Sequence, residues 1–148
     1  MKPKAPAILM LLGGLLILLG ESRAISFDLF TPSVRPISAD GFRVMLVYED
    51  SKLSQMPEPE KSVIFSTEVR KFLLDHCATA SGSPDFRIVT DKTDLSSDET
   101  HWREAFARPR KANPWLMING KTKGGFEGKM PESVEAMLSL LKKHAGGK

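Results

Sequence analysis

Residues 113–120 have the sequence Asn113-Pro114-Trp115-Leu116-Met117-Ile118-Asn119-Gly120. The four apolar residues 115–118 predict a strand. Asn119-Gly120 predicts a tight hairpin turn after this strand, because both residues tolerate the positive φ angles that such turns require. A further strand is expected at about residues 123–127, and Pro131 is expected to open an amphipathic helix. The stretch therefore predicts a β-hairpin followed by a helix.

Two further strands are predicted before this stretch, each followed by a helix. Val44-Met45-Leu46-Val47-Tyr48 is a continuous apolar run, which is typical of a strand covered on both faces. Residues 86–90 predict the second strand, after a loop over residues 78–85. Apolar residues at helical spacing predict a helix at about 60–77, and Ser96-Ser97-Asp98-Glu99 predicts a helix start with Ser96 as its cap. The order of elements is therefore β-α-β-α-β-β-α, an α/β fold.

The first 24 residues have the pattern of a secretory signal peptide. Lys2 and Lys4 precede an apolar run over residues 5–20, and Ser22-Arg23-Ala24 offers a cleavage site. A helix of this run would be about 24 Å long, shorter than the roughly 30 Å hydrocarbon core of a membrane. Cleavage is therefore favoured over retention as a short N-terminal anchor. The rest of the chain is expected to be exported, to a periplasmic or extracellular location or, if the leader is kept, as a membrane-anchored domain facing away from the cytoplasm.

Behind this leader we expect an extended linker over residues 25–41, one domain over residues 42–144 and a disordered tail over residues 145–148. The 148-residue chain has a formal net charge of +3. The leader contains Lys2, Lys4 and Arg23 against Glu21, so the remaining chain has a net charge of only +1. A nearly neutral domain provides no electrostatic footprint for nucleic acid, and no nucleic-acid partner is predicted.

The order of elements, with a proline directly before the third strand, resembles the thioredoxin superfamily in its minimal form. The best match is residues 113–120, followed by Gly124-Gly125-Phe126-Glu127-Gly128 and the final helix, and the resemblance covers residues 42–144. It implies a four-stranded mixed sheet flanked by helices and a cis peptide bond before Pro114. It also implies that the backbone before Pro114 can pair with an extended peptide segment of a partner.

The chain departs from this family at the position where the redox nucleophile is expected. Redox-active members carry Cys-x-x-Cys, or one cysteine, between the first strand and its helix, whereas residues 49–59 contain no cysteine. Ser51 and Ser54 have the family's spacing there, but a hydroxyl cannot form a disulfide. The usual dithiol oxidoreductase activity is therefore excluded, and no catalytic residue or cofactor is predicted. Binding of a protein or an extended peptide remains, with Ser51, Ser54, Asn113, Pro114 and Trp115 as candidate contact residues.

Cys77 is the only cysteine of the chain and supports the alternative function. It could act as a monothiol redox or thiol-transfer group through a mixed disulfide with a partner. Its place at the C-terminal end of a predicted helix disfavours a thiolate, however, and a buried structural thiol is the favoured interpretation.

The remaining polar residues of interest are three histidines and a group of basic residues. His76, His101 and His144 lie on three different predicted helices, and Asp98 with His101 is too small a set for zinc, so no metal site is predicted. Residues 103–129 contain seven basic residues against Glu104 and Glu127. A solvated surface is favoured over an anion-binding patch for this set, which comprises Arg103, Arg108, Arg110, Lys111, Lys121, Lys123 and Lys129.

Overall fold

In the part of the chain that the structure describes, six strands and four α-helices follow one another in an order close to the predicted one. The computed structural model describes residues 35–122 and 124–146. The strands are β1 (Arg43–Tyr48), β2 (Thr79–Ala80), β3 (Ser83–Pro84), β4 (Phe86–Thr90), β5 (Trp115–Asn119) and β6 (Gly125–Lys129). The helices are α1 (Glu58–Phe65), α2 (Thr67–His76), α3 (Thr100–Phe106) and α4 (Val134–Ala145), and a 3-10 helix covers Asp50–Gln55.

The main sheet has the strand order β4-β1-β5-β6. Strand β1 is parallel to β4, with Leu46 opposite Ile88, and antiparallel to β5, with Leu46 opposite Leu116. Strand β6 continues the sheet antiparallel to β5. The predicted four-stranded mixed sheet with flanking helices is confirmed. The short pair β2–β3 lies in the segment that we predict as a loop, and Ser81 and Gly82 form its turn with the positive φ angles of 50° and 81°.

Both faces of β1 are covered, which explains its continuous apolar sequence. Val44 and Leu46 belong to a core that also contains buried residues of α1, α2 and α4. Met45 and Val47 belong to a second core around Trp102 of α3. A strand that carries helices on both faces needs apolar side chains at successive positions, as residues 44–47 of this strand have.

The single helix predicted at about 60–77 is two helices, which meet at Ser66. The Ser66 backbone is extended, with φ −60° and ψ 126°, and its Oγ accepts a hydrogen bond from the Val69 N–H at 3.1 Å. Serine is favoured at such a cap because its hydroxyl satisfies a free N–H of the first helical turn. The break turns Phe65, which the helical pattern places in the core, toward the surface, where 51% of it is exposed.

Helix α3 begins at Thr100 and not behind a Ser96 cap. The Ser96 N–H donates to Oδ1 of Asp94 at 2.9 Å, so this serine belongs to a turn before the helix. Glu99 precedes the first helical residue and makes no side-chain cap bond. The predicted capping box is therefore wrong, although the helix itself is present.

The hairpin after β5 is longer than Asn119-Gly120 predicts. Asn119 is the last residue of β5, is fully buried and donates from Nδ2 to the carbonyl of Ala39. The Gly120 N–H donates to the Gly124 carbonyl at 2.8 Å, and Gly124 has φ 73°. The side chain of Asn119 is used to hold a distant segment, so the turn forms later and β6 starts at Gly125.

The ends of the predicted domain extend further than residues 42–144. Pro36 and Ile37, in the predicted linker, are buried, and Ile37 joins the core around Trp102. Helix α4 includes the buried Ala145, and Gly146 follows with φ 78°, where we expected a tail. The predicted signal peptide and the first part of the linker lie outside the described residues. Among the helices of residues 35–122 and 124–146, none is long and apolar enough to cross a membrane.

Candidate functional site

A cleft of about 540 Å³ opens at the C-terminal end of β1. Its walls come from the end of β1, the 3-10 helix, the residue after β4 and the loop between α3 and β5. The lining residues are Val47, Tyr48, Glu49, Lys52, Asp91, Arg108, Pro109, Arg110, Lys111, Ala112 and Asn113.

Hydrogen bonds fix the segments that form this cleft. The Glu49 N–H donates to Oδ1 of Asn113 at 2.8 Å, which ties the end of β1 to the residue before Pro114. On the other side, the Asp50 N–H donates to Oδ1 of Asp91 at 3.2 Å, and the Asp91 N–H donates to the Tyr48 carbonyl at 2.9 Å. The loop after β1 is therefore held on both sides by neighbouring segments of the fold.

A second, smaller cavity lies next to the cleft. It has a volume of about 240 Å³, and its lining includes Gln55, Met56, Pro57 and Glu60. Lys52 and Asn113 line both cavities and thus form a rim between them. An elongated ligand laid across this rim would contact both cavities.

The five predicted contact residues differ in burial and in whether they line the two cavities. Ser51 and Ser54 are exposed on the 3-10 helix and line neither cavity. Asn113 is half-buried and lines both, and its bond to Pro114 is cis. Pro114 is buried, and its carbonyl accepts the Met130 N–H at 3.1 Å, so that oxygen is already used within the sheet.

Trp115 cannot offer the stacking surface that an exposed aromatic ring would provide. Only 7% of this residue is exposed, and it belongs to the core around Trp102. The Nε1 atom of Trp115 is buried and has no hydrogen-bond partner with good geometry among the described residues. The indole nevertheless contributes to lowering the pKa of the Glu127 carboxyl. Of the five predicted contact residues only Asn113 lines the two cavities, together with Lys52, which the sequence did not single out.

Four basic and two acidic side chains line the cleft, and two of the basic ones are paired. Lys52 Nζ lies 2.7 Å from Glu49 Oε2. Arg108 donates twice to Glu127, at 3.0 and 2.6 Å, and these bonds hold the pKa of that carboxyl below its usual range. Arg110 and Lys111 have no ion-pair partner among residues 35–122 and 124–146. Part of the predicted solvated surface is therefore a wall of the cleft. The signal in the sequence is the basic run Arg108-Pro109-Arg110-Lys111, two residues before Asn113.

Cys77 lies outside both cavities and is buried, as the sequence predicts. Burial raises the pKa of this thiol to about 12, with a further contribution from the charge of Asp85 and a smaller opposing one from Arg43. A thiol of this kind is almost entirely protonated at neutral pH and is a poor nucleophile.

A cluster of Asp85, Glu99 and His101 brings together three groups of the kind that bind metals. Their possible ligand atoms lie within 4.8 Å of one another, and sequence reasoning connected only Asp98 with His101. Asp85, however, already accepts hydrogen bonds from Arg43 Nε and Trp102 Nε1, each at 2.9 Å. Arg87 pairs with Asp85 as well as with Glu99. Two guanidinium groups oppose a cation here, so the cluster is an ion-pair network that joins β1, β4 and α3.

The residues that line the cleft include no cysteine, serine or histidine, and its polar side chains are those of lysine, arginine, glutamate, aspartate, asparagine and tyrosine. No family model, curated protein or solved structure matches this chain. The function must therefore be argued from the groups in the cleft.

Proposed function

We propose that this chain is a thioredoxin-like domain without redox activity that binds a protein or an extended peptide. The order of its elements, the four-stranded mixed sheet and the buried proline directly before β5 support the likeness. The missing cysteine between β1 and α1 supports the absence of dithiol chemistry. We further propose that the domain is exported, on the pattern of residues 1–24.

The single observation that carries the proposed binding function is the hydrogen bond from Glu49 to Asn113. It joins two separate segments into one rim between the two cavities. A rim that is ordered before binding loses little conformational entropy when a ligand arrives, which favours affinity. The larger cavity, at about 540 Å³, also falls within the size range of ligand-binding clefts.

An extended peptide fits this geometry better than a compact small molecule does. The two cavities share Lys52 and Asn113 in their linings, so neighbouring side chains of one segment could enter them separately. The side chains of Asn113 and Lys52 provide hydrogen-bond donors at the rim. The alternative thiol-transfer function has less support, because Cys77 is buried away from both cavities.

Titration of the full chain with peptides selected from a random library tests this function, with amide NMR shifts as the measurement. We expect the largest shifts at residues 49–57 and 112–113. Lys52→Gln should weaken binding, whereas Lys142→Gln, a matched change of an exposed lysine on α4, should leave it unaltered. Selection of no peptide above background, or shifts confined to α4, would exclude this binding surface.

N-terminal sequencing of the exported product tests the proposed export. We expect Ile25 as the first residue. A product that begins at Met1 and fractionates with membranes would favour the anchored alternative, and a product found only in the cytoplasm would contradict export.

A further inference from the structure

We infer that the cleft selects an acidic peptide segment, recognised through carboxylate contacts with Arg110 and Lys111. This inference rests on the proposed peptide-binding function and adds the chemistry of the ligand. It is carried by the charges that line the cleft and by the way in which the structure holds Arg110.

The charges of the cleft are not balanced along the wall formed by residues 108–113. Lys52 is paired with Glu49, and Arg108 is paired with Glu127, so these four charges largely cancel. Asp91, on the opposite wall, accepts a backbone hydrogen bond from Asp50. Arg110 and Lys111 remain without an acidic partner in the part of the chain that the structure describes, although Lys111 is near enough to help lower the pKa of Glu127. An anionic group in the cleft would complete this wall.

Arg110 is held in position before any ligand binds. Its Nη1 donates to the Phe106 carbonyl at 2.7 Å, and its guanidinium lies over the Phe106 ring, 5.0 Å from the centroid. These contacts fix the plane of the group and leave other N–H donors free at the mouth of the cleft. A planar guanidinium with free donors suits a carboxylate, which can accept two parallel hydrogen bonds from it.

An acidic peptide fits these features better than nucleic acid does. The cleft is lined by two unpaired cations and also by the acidic Asp91, whereas a nucleic-acid surface requires a broad basic patch. The chain beyond residue 24 has a net charge of only +1, which provides no such patch. The rim of Asn113 and Lys52 supplies contacts for peptide groups next to the carboxylates.

Fluorescence anisotropy with three labelled peptides of equal length tests the inference on the full chain. One peptide alternates glutamate with glycine, the second replaces glutamate by glutamine, and the third by lysine. We expect the acidic peptide to bind at least about tenfold more tightly than the neutral one, with a preference that shrinks as salt rises from about 0.05 to roughly 0.3 M.

Paired variants locate the preference on the structure. The double change Arg110→Gln with Lys111→Gln should remove the preference for the acidic peptide. The matched change Lys142→Gln with Lys143→Gln removes the same charge from exposed positions on α4 and should preserve it. Arg110→Glu with Lys111→Glu should reverse the preference toward the lysine peptide, which an unfolded variant could not do.

The outcomes separate this inference from the function on which it rests. If the neutral and acidic peptides bind equally and both shift residues 49–57, the charge selection is wrong and the peptide-binding function stands. If no peptide binds, both are wrong. Equal loss of binding in the two double variants, or tighter binding of an oligonucleotide of the same charge than of the acidic peptide, would also overturn the inference.

Discussion

Arg43 of β1 donates a hydrogen bond from Nε to the buried carboxylate of Asp85 at 2.9 Å. Only 3% of the Asp85 side chain is exposed, and the indole of Trp102 donates to it from the far side. Burial alone would raise the pKa of Asp85, but the hydrogen bonds from Arg43 and Trp102 and the charges of Arg43 and Arg87 outweigh it, so the pKa lies below its usual range. One carboxylate thus joins the central strand, β4 and α3.

We expect Asp85→Asn to lower the free energy of unfolding by about 3–5 kcal/mol at pH 7, the usual cost of breaking a buried ion pair. Because the folded-state pKa is lowered, the contribution of this charge is complete above the ordinary aspartate pKa of about 3.9 and is lost as the pH falls through the folded-state value. The difference in the free energy of unfolding between wild type and variant should therefore become smaller below about pH 4. Urea unfolding at several pH values measures this.

Asp75→Asn is the matched control for that variant. Asp75 pairs with Lys71 on the surface of α2, where both side chains are at least half exposed. Its loss should change the free energy of unfolding little at any pH, because exposed pairs contribute little to stability. An equal effect of the two variants would contradict the role assigned to Asp85.

Asn113→Ala should loosen the rim of the cleft. The variant removes the oxygen that accepts the Glu49 N–H, so this amide should exchange with solvent faster. The free energy of unfolding should fall by about 1 kcal/mol, as for a typical hydrogen bond. Asn113→Asp retains an acceptor oxygen and should keep the Glu49 amide protected. Unchanged exchange in Asn113→Ala would contradict the assigned hydrogen bond.

Ser66→Ala should destabilise the fold by about 0.5–2 kcal/mol, since it removes the cap of α2. The variant loses the hydrogen bond from the Val69 N–H and the one that Ser66 Oγ donates to Glu68. Ser62→Ala, in the exposed part of α1, tests whether any serine in this region has the same effect, because its hydroxyl bonds only to the Glu58 carbonyl. Thermal or urea unfolding measures the stability of both variants. An equal loss of stability in the two variants would contradict the role of Ser66 as a cap.

Cys77 should resist thiol reagents at neutral pH until the protein unfolds, because the thiol is buried and its pKa is raised to about 12. Because the pKa of the Cys77 thiol is raised in the folded state, the contribution of the protonated thiol to stability is complete below the ordinary thiol pKa of about 8.5. This contribution is lost as the pH rises through the folded-state pKa. Ser51→Cys in a Cys77→Ala background supplies an exposed thiol that should react quickly. Rapid labelling of native wild type, absent in Cys77→Ala, would support the thiol-transfer alternative.

The four strands of the main sheet were predictable because their signals are local, whereas the short pair β2–β3 was not. The apolar run of β1 follows from helices on both faces, and the proline before β5 marks the start of the hairpin. The misplaced boundaries depend on partners far away in the chain. Asn119 stays in its strand because its side chain holds Ala39, and no pattern near Asn119 indicates that contact.

The candidate site was predictable in its place but not in its chemistry. The loop that carries the predicted contact residues Ser51 and Ser54 does meet Asn113, through the Glu49 N–H. The sequence could not exclude Ser51 and Trp115 as contact residues. The exposure of a loop serine and the burial of an indole are set by packing between elements, which no local pattern indicates. The ion pair of Arg108 with Glu127 likewise joins a loop to a strand. The sequence alone therefore does not show that Arg108 is paired and that Arg110 and Lys111 are not.

The bond between Asn119 and Ala39 also fixes how the domain can be presented on a surface. Asn119 lies opposite Arg43, the first residue of β1, whereas the cleft begins near Tyr48, the last. At about 3.3 Å per residue, these ends of the strand are roughly 17 Å apart. Arg35 pairs with Asp40 close to the Arg43 end. A label or tether attached at Arg35 would therefore lie toward the end of β1 that is distant from the cleft.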